Sequence, residues 1–327
     1  MRMRFDTRLL AVFVGLLLVS AATGAEKGKR VFMAGAATSN ITPWLGEGIV
    51  GGWSAPPAKH VHDDLHARCL VLDDGTTRIA IVLADSVSIP REVFDEAKRQ
   101  INEHTGLTMD RMLMAATHTH SSVNSRWKNI LVPNQKFCEY QTFLAHRIAD
   151  GVRRAINNLE PARLAWHDWV ALGMRQRELE LAVRKPTPEQ VVRAKELLAQ
   201  PELPDKLPHE RNYAERVLQQ QEAPATIRVI VQAVRIGDLG IATSPFETFT
   251  EMGLEIKARS PLRPAFTIEL ANGGYGYLPT AGQHELGGYE TWLGTSKVEP
   301  QASVKLVAAL LEMLGELKRA ADEPKQR

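Results

Sequence analysis

The sequence predicts an α/β fold in which a mixed β-sheet core is flanked by helices and carries a helical insertion. Three observations predict it. Strand and helix signals alternate through the first half of the chain, the pattern of layered α/β domains. Several short runs are almost wholly apolar, as strands buried on both faces are. The stretch 185–221 shifts to Glu, Gln, Lys, Arg and Pro with few aromatics, as one or two exposed helices outside the sheet would.

Taken in order, Ala36 to Pro43 reads as a strand entering a turn, and Gly46 to Pro57 as an irregular loop rich in Gly and Pro. His66–Leu72 and Arg78–Ala84 are β-rich runs on either side of Asp73-Asp74-Gly75-Thr76-Thr77, which predicts a hairpin. Glu92 to Glu103 has helical spacing after Pro90, Arg111 to Ala116 is a short apolar strand, and Phe137 to Leu159 is an amphipathic helix stopped by Pro161. Beyond the insertion, Thr226 to Thr243 forms a second hairpin around Gly237-Asp238. Ala265 to Leu270 is a buried strand, and Val304 to Leu317 a closing amphipathic helix before a charged tail.

The 327 residues carry a formal charge of +2. Residues 1–25 hold Arg2, Arg4 and Arg8, an apolar run from Leu9 to Val19, and small residues up to Ala25. That is the layout of a secretory signal peptide, with an uncleaved N-terminal anchor as the alternative. Export to the periplasm or the extracellular space is therefore expected, with residues 26–327 as one domain. The leader takes three Arg and one Asp with it, leaving 37 basic and 37 acidic residues. Such a balance offers no electrostatic footprint for nucleic acid and implies no obligate protein partner. The two cysteines, Cys69 and Cys138, either pair or stay as thiols; their spacing leaves both open.

Four segments could carry chemistry. The strand Arg111–Ala116 runs into Thr117-His118-Thr119-His120-Ser121, and in an extended backbone His118 and His120 would point to one face. Paired imidazoles at a strand end suit a metal ion, and hydrogen-bonded loop histidines are the alternative. A second cluster, His60-Val61-His62-Asp63-Asp64-Leu65-His66, precedes the first hairpin. Third is Ser244-Pro245-Phe246-Glu247, placed where a strand ends and a helix is expected to start. A carboxylate there is either a ligand or a partner of the helix dipole. Fourth is Asn272-Gly273-Gly274-Tyr275-Gly276-Tyr277-Leu278-Pro279-Thr280, with Gly287-Gly288-Tyr289-Glu290 after it, a glycine-rich, site-forming loop. Without further knowledge, the clusters fit either one zinc ion or a two-metal hydrolase.

In this order the segments resemble the catalytic domain of the neutral, non-lysosomal ceramidases, from about Ile41 to Tyr289. His62-x-x-Leu65-x-Ala67-Arg68, Thr117-His118-Thr119-His120-Ser121, Pro245-Phe246-Glu247-Thr248-Phe249-Thr250 and Gly276-Tyr277-x-Pro279-Thr280 carry the resemblance. It implies a zinc ion held by His62, His120, Glu247 and Tyr277. His118 would be a non-ligand histidine that moves protons, and Tyr289 a second active-site tyrosine. The implied reaction is cleavage of an amide in an N-acyl lipid or related small molecule, with membrane contact only through the substrate. Zinc would acidify a bound water, and Tyr289 would hydrogen-bond the developing oxyanion.

The chain departs from the family pattern in two places. Ser121-Ser122-Val123-Asn124-Ser125 stands where the family continues Ser-Gly-Pro-Gly-Gly, and Phe246 replaces the glycine before the glutamate. Three other readings remain from the residues themselves: a binuclear hydrolase in which His60 and His118 also ligate, a metal-binding exported protein without turnover, and a serine hydrolase using Ser121 or Ser122. The last lacks a Gly-x-Ser-x-Gly elbow.

Overall fold

The computed structural model describes residues 30–50, 54–126, 130–132, 135–165, 167–201 and 209–322. The expected leader, 1–25, lies outside them. Val31–Arg327 forms one compact unit.

Two sheets organise it. The first has strand order β4-β3-β2-β1-β5, from β1 (Met33–Asn40), β2 (His66–Asp73), β3 (Arg78–Ala84), β4 (Met112–Ala116) and β5 (Glu160–Pro161). β1, β2 and β3 run antiparallel, and β4 lies parallel to β3. The hairpin joining β2 to β3 turns where the sequence places it. Asp74 fixes the turn by accepting from Thr76 N at 2.8 Å and Thr77 N at 2.7 Å, and its other oxygen accepts from Leu172 N at 2.8 Å.

The second sheet has the order β10-β8-β7-β6, from β6 (Leu172–Ala182), β7 (Thr226–Ile236), β8 (Leu239–Thr243) and β10 (Ala265–Ile268). β6 is an element the periodicity does not announce. Its Arg175-Gln176-Arg177-Glu178 stretch is polar, yet it pairs with β7 along eleven residues, from Leu172↔Ile236 to Ala182↔Thr226. The polar side chains find partners instead of solvent: Arg177 bridges Glu312 and Glu316 of α7 (Ala302–Asp322).

Helices cover the two outer faces. α1 (Arg91–Thr105) and α2 (Glu139–Asn157) pack on the first sheet through Val93, Phe94, Ala97, Ile101, Leu144 and Ile148. This is the i, i+3, i+4, i+7 stripe of a half-buried helix. On the second sheet lie α5 (Thr250–Arg259) and α7, with Met252, Ile256, Leu306 and Leu310 inward. A third core fills the space between the sheets, where Phe32, Leu72, Ile79 and Leu113 meet Met174, Val234 and Ile241. The α/β expectation therefore holds, as helix, sheet, sheet and helix in layers.

The insertion forms two helices, α3 (Pro188–Ala199) and α4 (Glu210–Glu222). α3 begins with a capping box, Thr187 accepting from Gln190 N while the Gln190 side chain accepts from Thr187 N. Cys69 is buried in β2 and Cys138 lies exposed at the start of α2, both as free thiols.

Candidate functional site

The site gathers where β4 leaves the first sheet and the chain segments after β8 and β10 leave the second. Ala115 pairs with Ala271, and Asn272 N donates to Met114 O at 2.8 Å, so strand ends from both sheets meet.

β4 stops at Ala116, and His118 adopts φ 60°, a left-handed conformation uncommon for a residue with a Cβ. The backbone is therefore not extended through the two histidines, as strand alternation would require. The bend brings them together all the same. Their rings meet edge to face, with centroids 4.9 Å apart and Nε2 atoms 3.4 Å apart. His118 Nδ1 lies 2.7 Å from Val87 O. A carbonyl only accepts, so Nδ1 carries the proton and the Nε2 lone pair of a neutral ring faces the site. That Nε2 is 3.6 Å from Glu247 Oε2.

Glu247 is not at a helix N-terminus. It occupies β9 (Glu247–Thr248), and α5 begins only at Thr250 with Phe249 as its cap. β9 pairs in parallel with β11 (Tyr277–Leu278), which sets Tyr277 beside Glu247, and Glu247 N donates to Gly276 O at 2.9 Å. Phe246 is fully buried, its ring 5.8 Å from that of Tyr275. The bulk standing in place of glycine thus fills the core beneath the site. Tyr277 and Tyr289 share a hydrogen bond of 2.9 Å between hydroxyls. Burial, then that bond and the Glu247 charge, push the Tyr277 phenol well above its ordinary range, so on its own it stays protonated.

Beneath the loop sits a polar brace. Asn272, at φ 59°, accepts from the buried Lys98 Nζ at 2.7 Å and donates to Gln232 Oε1 at 2.9 Å. Gln232 in turn donates to Met112 O at 3.0 Å. Helix α1, both sheets and the glycine-rich loop are tied at one point.

The structure thus brings His118, His120, Glu247, Tyr277 and Tyr289 into one site. His62 stands apart: its side chain is 88% exposed, and its Nδ1 faces Asp63 Oδ2 at 2.8 Å. Among the described residues, no hydrogen bond, ion pair or ring contact joins His62 to the other five. His60 is likewise exposed on this loop. Arg68 and Asp85 form an ion pair of 2.7 Å on the first sheet.

Sequence reasoning did not single out three cations, Arg126, Lys297 and Arg216, the first two of which lie within electrostatic reach of Glu247. Arg126 and Lys297 both sense the Glu247 carboxylate and the Arg216 guanidinium. No motif announces them, because they come from three separate stretches of chain.

Tetrahedral zinc with bonds of about 2.0–2.1 Å places neighbouring donor atoms roughly 3.3–3.4 Å apart. The 3.6 Å separation of His118 Nε2 from Glu247 Oε2 is close to such an edge, and the Val87 carbonyl orients that ring as hydrogen-bond partners of metal-bound histidines do. Among the described residues, no three His, Cys, Asp or Glu side chains converge on a common point. The donors therefore fit zinc in kind and pairwise spacing, with Tyr277 needed beside His118 and Glu247 to complete a set of three.

No family model and no curated protein matches the chain. Solved structures do. A neutral ceramidase from Pseudomonas aeruginosa is similar over 89% of this chain and 75% of its own, with a TM-score of 0.61 and 13% identity. A ceramidase complexed with C2 is similar over 89% and 76%, with a TM-score of 0.64 and 13% identity. At that identity the likeness is one of fold.

Proposed function

We propose that the chain is an exported zinc-dependent hydrolase that cleaves an amide in an N-acyl lipid or related small molecule. One observation carries the reading. His118, its tautomer set by Val87 O, points Nε2 at both His120 and Glu247, next to the Tyr277–Tyr289 pair. The likeness of fold to the ceramidases agrees with it.

The resemblance gave His120 and His62 as ligands and His118 as the proton carrier. His118 fits the part of a ligand, since Val87 O orients its ring through Nδ1 and its Nε2 faces the site. His120, exposed and 3.4 Å away, is then placed to take a proton from water and return it to the leaving amine. His118, Glu247 and Tyr277 would hold zinc and leave a position open, where the metal would acidify a bound water. Tyr289, half exposed at 47%, can donate its hydroxyl to the oxyanion that forms at the acyl carbon. Among the described residues no helix is long and apolar enough to cross a membrane. A lipid would be met at the protein surface, and Trp44, 46% exposed and packed 5.4 Å from Phe143, is an exposed loop aromatic suited to that contact. Leu278 is buried in the second core and Trp53 lies outside the described residues.

The test is release of amine from a fluorogenic N-acyl amide by the mature protein. Turnover should stop on chelation, return with zinc and be absent in Glu247→Gln. Turnover indifferent to chelation, or none after zinc is supplied, would overturn the reading.

A further inference from the structure

The helical insertion and the segment after Tyr289 together line a cavity of about 890 Å³, within the roughly 300–1,000 Å³ of small-molecule pockets. Its apolar walls are Tyr213 and Val217 of α4 and, from the other segment, Trp292 and Leu293. The insertion is firmly seated there. Tyr213 and Trp292 meet edge to face with ring centres 5.2 Å apart, and the Tyr213 hydroxyl accepts from Thr295 Oγ1 at 3.4 Å. Buried Gln220 of α4 donates through Nε2 to Arg184 O at 2.8 Å. Lys185 caps the carbonyl end of α4, its Nζ donating to Gln221 O at 3.1 Å. Even so, Trp292 keeps 52% of its surface exposed, a large apolar face that Tyr213 alone does not cover.

Arg184 supplies the polar feature of this cavity. β6 ends at Ala182, and alternation along the continuing chain sends Val183 into the core and Arg184 to the other side. Its Nη1 donates to Thr291 O at 2.8 Å and to Ser296 O at 3.2 Å, which fixes the guanidinium in place. Its Nε and Nη2, an edge of the kind that grips a carboxylate bidentately, donate to no described residue. Among the described residues no carboxylate pairs with Arg184, and burial holds its pKa below the ordinary guanidinium value. The other cations of the cavity are engaged, Lys185 as the cap of α4 and Arg193 at 3.8 Å from Glu210. An apolar cleft holding one uncommitted guanidinium is complementary to an amphipathic anion. We infer that the cavity binds an apolar chain ending in a carboxylate, the chemistry of a fatty acid. Its head would lie on Arg184 and its chain along Tyr213, Val217, Trp292 and Leu293.

None of these residues is a proposed zinc donor, so the inference goes beyond the hydrolase reading and does not depend on it. The two sites do share backbone. Trp292 N donates to Tyr289 O at 3.1 Å, and the Thr291 carbonyl held by Arg184 belongs to the same 3-10 turn as Tyr289. A carboxylate on Arg184 therefore bears on the turn that carries Tyr289.

Titration calorimetry of the mature protein, with and without a chelator, tests this with dodecanoate, dodecyltrimethylammonium and acetate, each below any micelle concentration. Dodecanoate should bind about tenfold or more tightly than the other two, equivalent to about 1.4 kcal/mol. The chelator should leave that binding unchanged. Arg184→Gln and Val217→Glu should each weaken dodecanoate about tenfold, whereas Arg184→Lys, which keeps the charge, should lose less. Circular dichroism and melting check each fold. Val217 is only partly buried on α4, so Val217→Glu decides the matter if loss of the Arg184 bonds unfolds Arg184→Gln. Absence of dodecanoate binding, equal binding of the cation or of acetate, loss of binding on chelation, or unchanged binding in a folded Arg184→Gln or Val217→Glu would overturn the inference. Failure of the hydrolase reading would look different: no amide would be cleaved, while dodecanoate still bound.

Discussion

Gly276→Ala tests how the site is held. Gly276 has φ 85°, and a Cβ would stand 2.6 Å from Thr295 O, about 0.8 Å inside the 3.4 Å at which ordinary contact begins. Thr295 O also accepts from Tyr277 N at 3.3 Å, and Gly276 O accepts from Glu247 N at 2.9 Å. The added methyl thus pushes on the hydrogen bonds that place two proposed zinc donors. The left-handed conformation costs about 1–2 kcal/mol for a residue with a Cβ, and relieving the overlap about 1–3 kcal/mol more. Together these give roughly 2–5 kcal/mol of lost stability, measured by urea unfolding, with zinc affinity falling alongside it. Gly282→Ala is the control, because nothing lies within 4 Å of a Cβ there and the residue is helical. Equal unfolding free energies and equal zinc affinity for Gly276→Ala and the parent would refute the reasoning.

Three further outcomes are expected. Asn272→Ala would leave the Lys98 ammonium and Gln232 Oε1 without that partner inside the protein, costing about 2–4 kcal/mol; urea titration giving under half a kilocalorie would discount the brace. Burial opposes ionisation of Asp74, but bonds from Leu172, Thr76 and Thr77 outweigh it and hold its pKa below the ordinary carboxylate value. Its stabilisation is therefore present above the unfolded value near pH 4 and lost as pH falls through the folded one. Asp74→Asn should flatten the acid limb of a stability–pH curve, and an unchanged limb would contradict this. Burial pushes the Cys69 thiol up to about 12, so one thiol, that of exposed Cys138, should react with a maleimide in the native protein at pH 8; two fast-reacting thiols would be inconsistent.

Much of the scaffold was legible because apolar periodicity reports burial. β2, β3, β4 and α1 fall where the pattern put them, as does the turn at Asp73–Thr77. β6 was not legible, since its outward charges are paid for by ion pairs to α7, a tertiary fact absent from the local sequence. At the site, the motifs named His118, His120, Glu247, Tyr277 and Tyr289, which the fold does bring together. They misjudged the local backbone, however. His118 bends instead of extending, and Glu247 sits in a strand. His62 carried a motif but no geometry, being set by an exposed loop, while Lys297 and Arg216 had geometry and no motif. Their placement depends on Gly276 and Gly294 approaching them from distant parts of the chain.

The central claim is a zinc site built on His118 and Glu247, and elemental analysis of the mature protein tests it most directly. The account predicts one zinc per chain in the parent and in His62→Ala, and none in folded His118→Ala or Glu247→Gln. No zinc in the parent after supplementation, or stoichiometric zinc retained by His118→Ala and lost from His62→Ala, would contradict it.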